Sequence, residues 1–507
     1  MHWFDIRKAV RLALPALVSA FAILQAAAAE FEVPFGQRQL FLDDHGVEET
    51  TNLTRTLHAP EKRGPVIRPQ PPHEMAIQTR CAPAWNPERK VYQIWTLVSG
   101  MEYPTGGYAY FESKDGIHWT RPVLNQREVY GLKENNYLAD DAKILNAIYD
   151  ADEPSPDRRY KGLVTGENRA PAVSPDGVHW TRLEVPPVPS WDESNMSFDR
   201  ASHTYLLTVK QGGPYGRAVY LSTSQDFQNW TKPELAFCAD EQDQILGKER
   251  IARRFADPKM QQPTFNIPEK YNVDVYNMGI FRYEGVYIGL PSMFHQTGKV
   301  DGTYKGFDDW DISPEMRAVY KRDGDWSGFH HIQMLCSRDL KTWTRLAGRQ
   351  PFIDNSPAGE DVYDSGCIIG PSAPVPHGDE LWFYYTGLKA YGGPSTADNA
   401  AVNLAVLRRD GFFSLDAADD EGTLLTKPFV LPGGELFVNV NAKKGRLRAE
   451  LLDGNGRILA RFSEIRGDRT HKKLKWRGGD LAHWKGRPVQ LRLTLRNASL
   501  YSYWFEE

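Results

Sequence analysis

A chain of 507 residues is long enough for one large core or for two or three domains. Hydrophobic residues at 41% and charged residues at 25% match a soluble globular protein. With 61 basic residues against 65 acidic ones and a formal net charge of -4, the chain lacks the basic field of a nucleic-acid binder, and no nucleic-acid partner is expected.

The N-terminus predicts a signal peptide over residues 1–29. Lys8 and Arg11 supply positive charge, 12–24 is mostly apolar, and 26–29 is a run of alanines that a signal peptidase accepts. Export to the periplasm or the medium follows as an expectation. No later apolar stretch reaches about 18 residues, so no stable membrane insertion is expected after cleavage. Cys81, Cys238, Cys336 and Cys367 are scattered and form no zinc pattern. Disulfides and buried free thiols are both open.

A short strand signal at 39–43 is expected to close the fold by joining the last repeat. Four copies of Ser-x-Asp-x-x-x-Trp-Thr then follow, at 113–120, 174–181, 224–231 and 337–344, with a weaker fifth at 409–413. Each copy follows a strand-like run such as Tyr108-Ala109-Tyr110-Phe111. In each, the Asp is expected to accept backbone N–H bonds in a tight turn, and the Trp to fold back as an apolar plug. Further strand signals lie at 91–97, 142–149, 160–164, 203–209, 277–281, 286–290, 317–320, 367–369, 380–386 and 402–407.

About four strands in each of five units predicts an all-β five-bladed β-propeller over 30–422. Small sheets set radially bury each face against a neighbour. The long spacing between Asp226 and Asp339 leaves a sixth blade open. The polar, proline-broken segment 235–270 and the Gly- and Asp-rich 295–315 read instead as loop insertions. From 423 to 507 the pattern changes to alternating strands around the hairpin turn Gly454-Asn455-Gly456, which predicts a small β-sandwich.

These strand phrases, with the blade strand Leu381-Trp382-Phe383-Tyr384-Tyr385-Thr386-Gly387, resemble the five-bladed propeller glycoside hydrolases, the group of invertase-like fructosidases and arabinofuranosidases or xylosidases. The resemblance spans nearly all the mature chain. It implies carboxylates at the axial ends of the innermost strands and an oligosaccharide or polysaccharide substrate. The invertase-type entry motif is altered: Ala84-Trp85-Asn86-Pro87 has no Asp between Asn and Pro, so no nucleophile carries over. The repeat also looks like a sialidase Asp box with one position fewer between Asp and Trp.

Glycosidic cleavage usually takes two carboxyl groups across the scissile bond, one as acid and the other as nucleophile or base. The candidates precede the units. Asp274 or Glu360 is expected as acid, Asp364 or Asp192 as nucleophile or base, and Glu74 as a tuning or hydroxyl-binding group. Asp274 interrupts an apolar stretch, where a carboxylate is costly without a purpose or a partner; its alternative is a buried hydrogen-bond anchor. Arg80, His73, Asn136, Asn195 and His295 are candidate hydroxyl contacts, and Trp85, Tyr271 and Tyr276 candidate stacking platforms. No cofactor is required on this reading, though oxygen ligands leave room for a structural Ca²⁺. A non-catalytic binding propeller and a lyase or sialidase-like enzyme are the competing classes. An oligomer is compatible with all three.

Overall fold

The computed structural model describes residues 31–507 apart from 72, 101–105, 167, 395–396 and 478–480. The expected signal peptide lies outside the described residues, apart from which no described helix is long and apolar enough to cross a membrane. The chain is almost entirely β-structure with few helices.

Four-stranded antiparallel units follow one another along the chain. The first contains Ala76–Gln78, Val91–Ser99, Gly106–Ser113 and Trp119–Thr120. The second contains Ile144–Tyr149, Tyr160–Val164, Asn168–Ser174 and Thr181–Arg182. The third runs through Ser194–Asp199, Thr204–Gly213, Gly216–Ser224 and Glu234–Phe237. The fourth has Asn272–Tyr283, Val286–Val300, Leu335–Ser337 and Thr344–Arg345. Cys367–Ile369, Glu380–Leu388 and Ala400–Arg408 form the fifth, and its outer strand is Glu61–Ile67, from before the first unit.

That last pairing corrects an expectation. Gln39–Leu40 does not complete the fifth unit but pairs with Tyr503 and Ser502 at the end of the chain. Glu61–Ile67 pairs along Ala400–Arg408, a strand buried from residue 400 to 407, and its own buried end is Ile67, opposite Val402. Two further readings change. Segment 235–270 contains α1 (Glu241–Ala256), capped by Asp240 and Asp243 in a reciprocal box. Segment 317–320 is not a strand but part of α2 (Pro314–Asp323), which starts behind Ser313 with Pro at its first turn. In the first case polar residues hid a helix, and in the second the run Ala318-Val319-Tyr320 gave a strand-like signal inside one.

The repeated turn behaves as its chemistry requires. Asp115 Oδ1 accepts from the N–H of Ile117 at 2.9 Å and of His118 at 2.8 Å, and Asp176, Asp226 and Asp339 do the same in their copies. The next residue has positive φ in every full copy. It is Gly116 and Gly177 in two, while Phe227 and Leu340 accept the strain in the others. Gly177 also needs its bareness: a Cβ there would stand 2.9 Å from Trp95 of the first unit. The turn of one unit is thereby wedged onto the sheet before it, with Trp180 edge-on to Trp95 and Trp119 edge-on to Tyr384.

The C-terminal sheet is built on the long strand Glu435–Leu452, flanked by Pro488–Arg496, Ala498–Glu506 and Ile465–Lys473. Its first strands are older in the sequence than expected. Phe413–Ala417 and Gly422–Thr426 belong to it, as do Val47–Thr51 and Thr54–Leu57, so position 423 lies inside the sheet rather than at its edge. Asp410, in the weak fifth copy, ties the parts together. It accepts from Arg38 at 2.6 Å, Tyr283 at 2.7 Å and Ser502 at 2.6 Å. Cys81, Cys336 and Cys367 are buried and Cys238 half-buried, all as free thiols.

Candidate active site

The first strands of the units meet through buried amides. Asn195 Nδ2 donates to Arg80 O at 3.0 Å and to Ser372 Oγ at 3.1 Å, and Asn195 Oδ1 accepts from Asn277 Nδ2 at 2.8 Å. Asn146 Nδ2 donates to Ser194 Oγ at 3.0 Å. These contacts join all five units, with the first entering through Arg80 and the fifth through Ser372. Arg80 and Ser372 stand just past the ends of Ala76–Gln78 and Cys367–Ile369, while Asn146, Asn195 and Asn277 stand within the first strands of their units, so side chains far apart in sequence converge along these strands.

At that convergence lie three ion pairs. Arg80 grips Glu193 with two guanidinium nitrogens, one of them at 2.6 Å from Oε1, and both residues are buried. Burial pushes the Glu193 carboxyl up, but the charge and hydrogen bonds of Arg80 outweigh it and hold the group below the usual range. Arg217 donates to both oxygens of Asp274 at 2.8 Å and adds its backbone N–H at 3.1 Å. Lys210 Nζ stands 3.0 Å from Asp192 Oδ1.

The Lys210 pair is asymmetric. The Lys210 side chain is 2% exposed and that of Asp192 68%. Burial drives the Lys210 ammonium down to about 8 against the opposing pull of Glu193 and Asp192. Asp192 is pushed up by desolvation but lowered overall by Lys210. Lys210 Nζ also sits 3.8 Å from the centre of the Tyr276 ring, and Arg217 lies 5.1 Å from it. Tyr276 is buried against His330, with ring centres 4.6 Å apart. Neither His330 nitrogen has a hydrogen-bond partner among the described residues, and burial keeps the ring neutral, its pKa far below the ordinary value.

Beside this cluster opens a cleft of about 800 Å³, within the range of small-molecule sites. Gln78, Tyr108, Arg127, Lys143 and Asn399 line it, and Asp311 to Met316 at the start of α2 form part of its wall. Gln78 connects cleft and cluster, because its Oε1 accepts from Arg80 at 3.2 Å.

The expected site residues divide accordingly. Asp192, Asp274, Tyr276, Arg80 and Asn195 come together. Asn195 is part of the buried seam, with Oδ1 and Nδ2 both bonded to protein. Both oxygens of Asp274 are engaged by Arg217, so the anchor alternative describes its geometry. Asp364 is buried at the start of the fifth unit, with Lys62 at 2.7 Å and Tyr385 at 2.8 Å. Glu74 is buried before the first unit, 2.9 Å from Arg121 and 2.8 Å from the N–H of Gln70. Glu360 lies exposed in its loop, and His73 is exposed with its ring on Tyr130.

Four expectations move away from the cluster. Trp85 pairs with Tyr92 while Ala76 pairs with Ser99 on the same strand, so Trp85 stands about 23 Å from the convergent end at 3.3 Å per residue. Asn136 is buried and donates to Tyr110 O at 2.9 Å, a structural bond. The Tyr271 hydroxyl is spent on Asn266. His295 is fully buried, stacked on Phe329 at 4.8 Å, and faces no open pocket.

Sequence reasoning missed Trp191, Lys210 and Arg217. Trp191 is 52% exposed beside Asp192, its ring over Gly212. An exposed indole next to a double acid was a readable signal. The two cations interrupt the hairpin 204–224, which reads as an ordinary solvated alternation until its end is placed at the convergence.

No family model matches the chain, and no curated protein matches it. Among solved structures, the chain is similar to a GH62 α-L-arabinofuranosidase catalytic domain of Coprinopsis cinerea, at 14% identity, 69% of this chain, 97% of that one and a TM-score of 0.38. An α-L-arabinofuranosidase of Podospora anserina, described in complex with cellotriose, is 13% identical over 71% of this chain and 99% of its own, with a TM-score of 0.39. A GH32 β-fructofuranosidase of Bombyx mori is 9% identical over 87% and 94%, also with a TM-score of 0.39.

Proposed function

We propose that the five sheets are the blades of a propeller closed by Glu61–Ile67, and that the protein is an exported glycoside hydrolase acting on an oligosaccharide or polysaccharide at the mouth where the first strands meet. One observation carries this reading. Of the carboxylates in the three ion pairs, Asp192 alone has an exposed side chain, and it stands beside an exposed indole and a buried ammonium. An aromatic plane suits the C–H face of a sugar ring. The cleft next to it, whose wall carries the exposed Asp140 as well, offers amide, phenol and guanidinium groups to hydroxyls.

Asp192 is assigned as nucleophile or general base, a role that suits an accessible carboxylate kept ionised by Lys210. Lys210 is assigned the role of holding Asp192 ionised and oriented, because its ammonium is 2% exposed and pairs with that carboxylate at 3.0 Å rather than standing across the scissile bond from it. The Arg80–Glu193 and Arg217–Asp274 pairs hold Lys210 between fixed charges, and Asp274 is thereby a positioning residue.

The test is turnover of a panel of aryl glycosides and plant or algal oligosaccharides by the parent and by Asp192→Asn. Asp192→Asn takes from the buried Lys210 ammonium its nearest carboxylate, so the variant should still fold, with a lowered urea midpoint, and lose at least about 100-fold in kcat, a loss typical of removing an acid–base group. Full activity in the variant removes Asp192 from the chemistry.

A polysaccharide lyase is the second reading, favoured by the same Lys210. A buried amine with a pKa of about 8 among Arg80, Arg169 and Arg217 is also suited to take a proton next to a neutralised uronate. The lyase would generate ultraviolet absorbance from a new conjugated double bond in the panel assay, and the hydrolase would generate only reducing ends.

A further inference from the structure

Another pocket, of about 280 Å³, lies between α1 and the segment 351–355 and takes no part in the chemistry above. Arg250, Arg253 and Arg254 line it from one face of α1, at the i, i+3 and i+4 spacing that brings side chains together. His331 lines it from the strand Asp325–Ile332. Successive residues of a strand face opposite sides, so His330 meets the aromatic rings of the mouth while His331 meets this pocket and His295.

The three arginines make no ion pair among the described residues, and the carboxylates that share the lining, Asp257 and Asp354, compensate them only in part. Arg254 is 5% exposed, and the acceptors it meets are neutral: Gln261 O at 2.9 Å, Asn355 Oδ1 at 2.9 Å and Ser365 O. Arg250 gives Nη2 to Arg349 O at 2.6 Å, while its Nη1 is buried without a hydrogen-bond partner among the described residues. The acids of α1 that might neutralise Arg250 are taken: Asp243 pairs with Arg345 and Arg349, and Asp240 with Arg349. The remaining carboxylates, Asp354 and Asp257, are exposed, and Asp354 stays 4.0 Å from His331 Nδ1.

We propose that this pocket binds a small tetrahedral oxyanion of the phosphate or sulfate class, held by the free Nη1 of Arg250, by Arg253 and by the unused N–H groups of Arg254. A buried Arg254 and a half-buried Arg250, with Arg253 exposed at the rim, match such an ion in charge and in geometry. The volume admits the ion itself or the charged end of an ester. Bound there, the anion bridges α1 to the segment that packs behind the mouth.

The full-length protein is titrated with inorganic phosphate, inorganic sulfate and glucose 6-sulfate, each against sodium chloride at matched ionic strength, by calorimetry and by thermal unfolding. Saturable binding is expected, with affinity falling about tenfold or more in Arg250→Gln, as for loss of a charge-assisted hydrogen bond. Asp354→Asn removes a competing carboxylate and is expected to tighten binding several-fold. That arm decides the question if Arg250→Gln does not fold. Inorganic ions binding alone assign the pocket to a free anion, whereas equal binding of the sugar ester assigns it to an esterified carbohydrate. Shifts no larger than those of chloride, or affinities indifferent to both substitutions, overturn the proposal. The readout is binding, so this result is independent of whether the mouth hydrolyses glycosides.

Discussion

Replacing Lys210 by Met gives a sharp test of the electrostatics at the mouth. The methionine keeps the length and the apolar stem of the lysine but deletes a charge whose side chain is 2% exposed. A fall in pKa from 10.5 to about 8 means that the folded state holds the Lys210 proton more weakly than the unfolded chain does. At about 1.4 kcal/mol per tenfold change in the proton equilibrium, that difference is about 3 kcal/mol. The sign follows from linkage. Between pH 8 and 10.5 the unfolded chain binds more protons at this site, so stability contributed by Lys210 rises with pH across that window.

At neutral pH, Lys210→Met is therefore expected to be as stable as the parent or more so, by up to about 3 kcal/mol. As pH rises through the window the parent should regain that amount relative to the variant. Urea unfolding of both proteins at several pH values from 7 to 10.5 measures the difference, in which the other alkaline groups cancel. A difference that does not change with pH refutes the account of a charge held in a dry site. Loss of activity without loss of stability is the accompanying expectation, because the buried ammonium that costs stability is the group that keeps Asp192 ionised.

Other perturbations separate structural from chemical roles. Arg80→Met leaves the buried Glu193 carboxylate unpaired and is expected to cost about 3–5 kcal/mol in urea unfolding, with much of it recovered in Arg80→Met/Glu193→Gln. In the parent, the Glu193 contribution is present above the usual glutamate pKa of about 4.3 and is lost as pH falls through the lowered folded value. Asp325 is the opposite case: desolvation raises its carboxyl to about 6 even though it accepts from Gly393 N–H at 2.6 Å. Its folded pKa lies above the unfolded one, so stability falls as pH rises from 3.8 to 6. Asp325→Asn, which retains the acceptor, should stabilise the protein at pH 7 by about 1–3 kcal/mol and change little at pH 3.5. Equal effects at the two pH values would remove the desolvation argument.

The amino-acid order determined the units. Ser113, Asp115 and Trp119 form their turn through bonds spanning two or three residues, and local bonds of that kind are written wherever the phrase is written. The same locality let the sequence place Asp192, Asp274 and Tyr276 at strand starts. Which element closes the fifth unit was a different kind of question. Gln39–Leu40 gave a strand signal and Glu61–Ile67 gave none, and only the pairing with Ala400–Arg408 selects the second. The helix α1 was hidden because its segment reads as polar loop in isolation, and α2 because Ala318-Val319-Tyr320 reads as a strand until Tyr320 is placed on Phe307 and Trp310.

The site followed the same division. Carboxylates announce themselves by residue type, but their partners do not. Arg80 meets Glu193 across 113 positions and Arg217 meets Asp274 across 57. Whether an acid is locked or free is decided by which cation the fold brings beside it, and at what burial. That is why Asp274, the most conspicuous acid in the sequence, is engaged on both oxygens, while Asp192, in an ordinary-looking loop, keeps its carboxylate open. Tertiary structure alone decided this, because desolvation and ion pairing are properties of a place in space and not of a place in the chain.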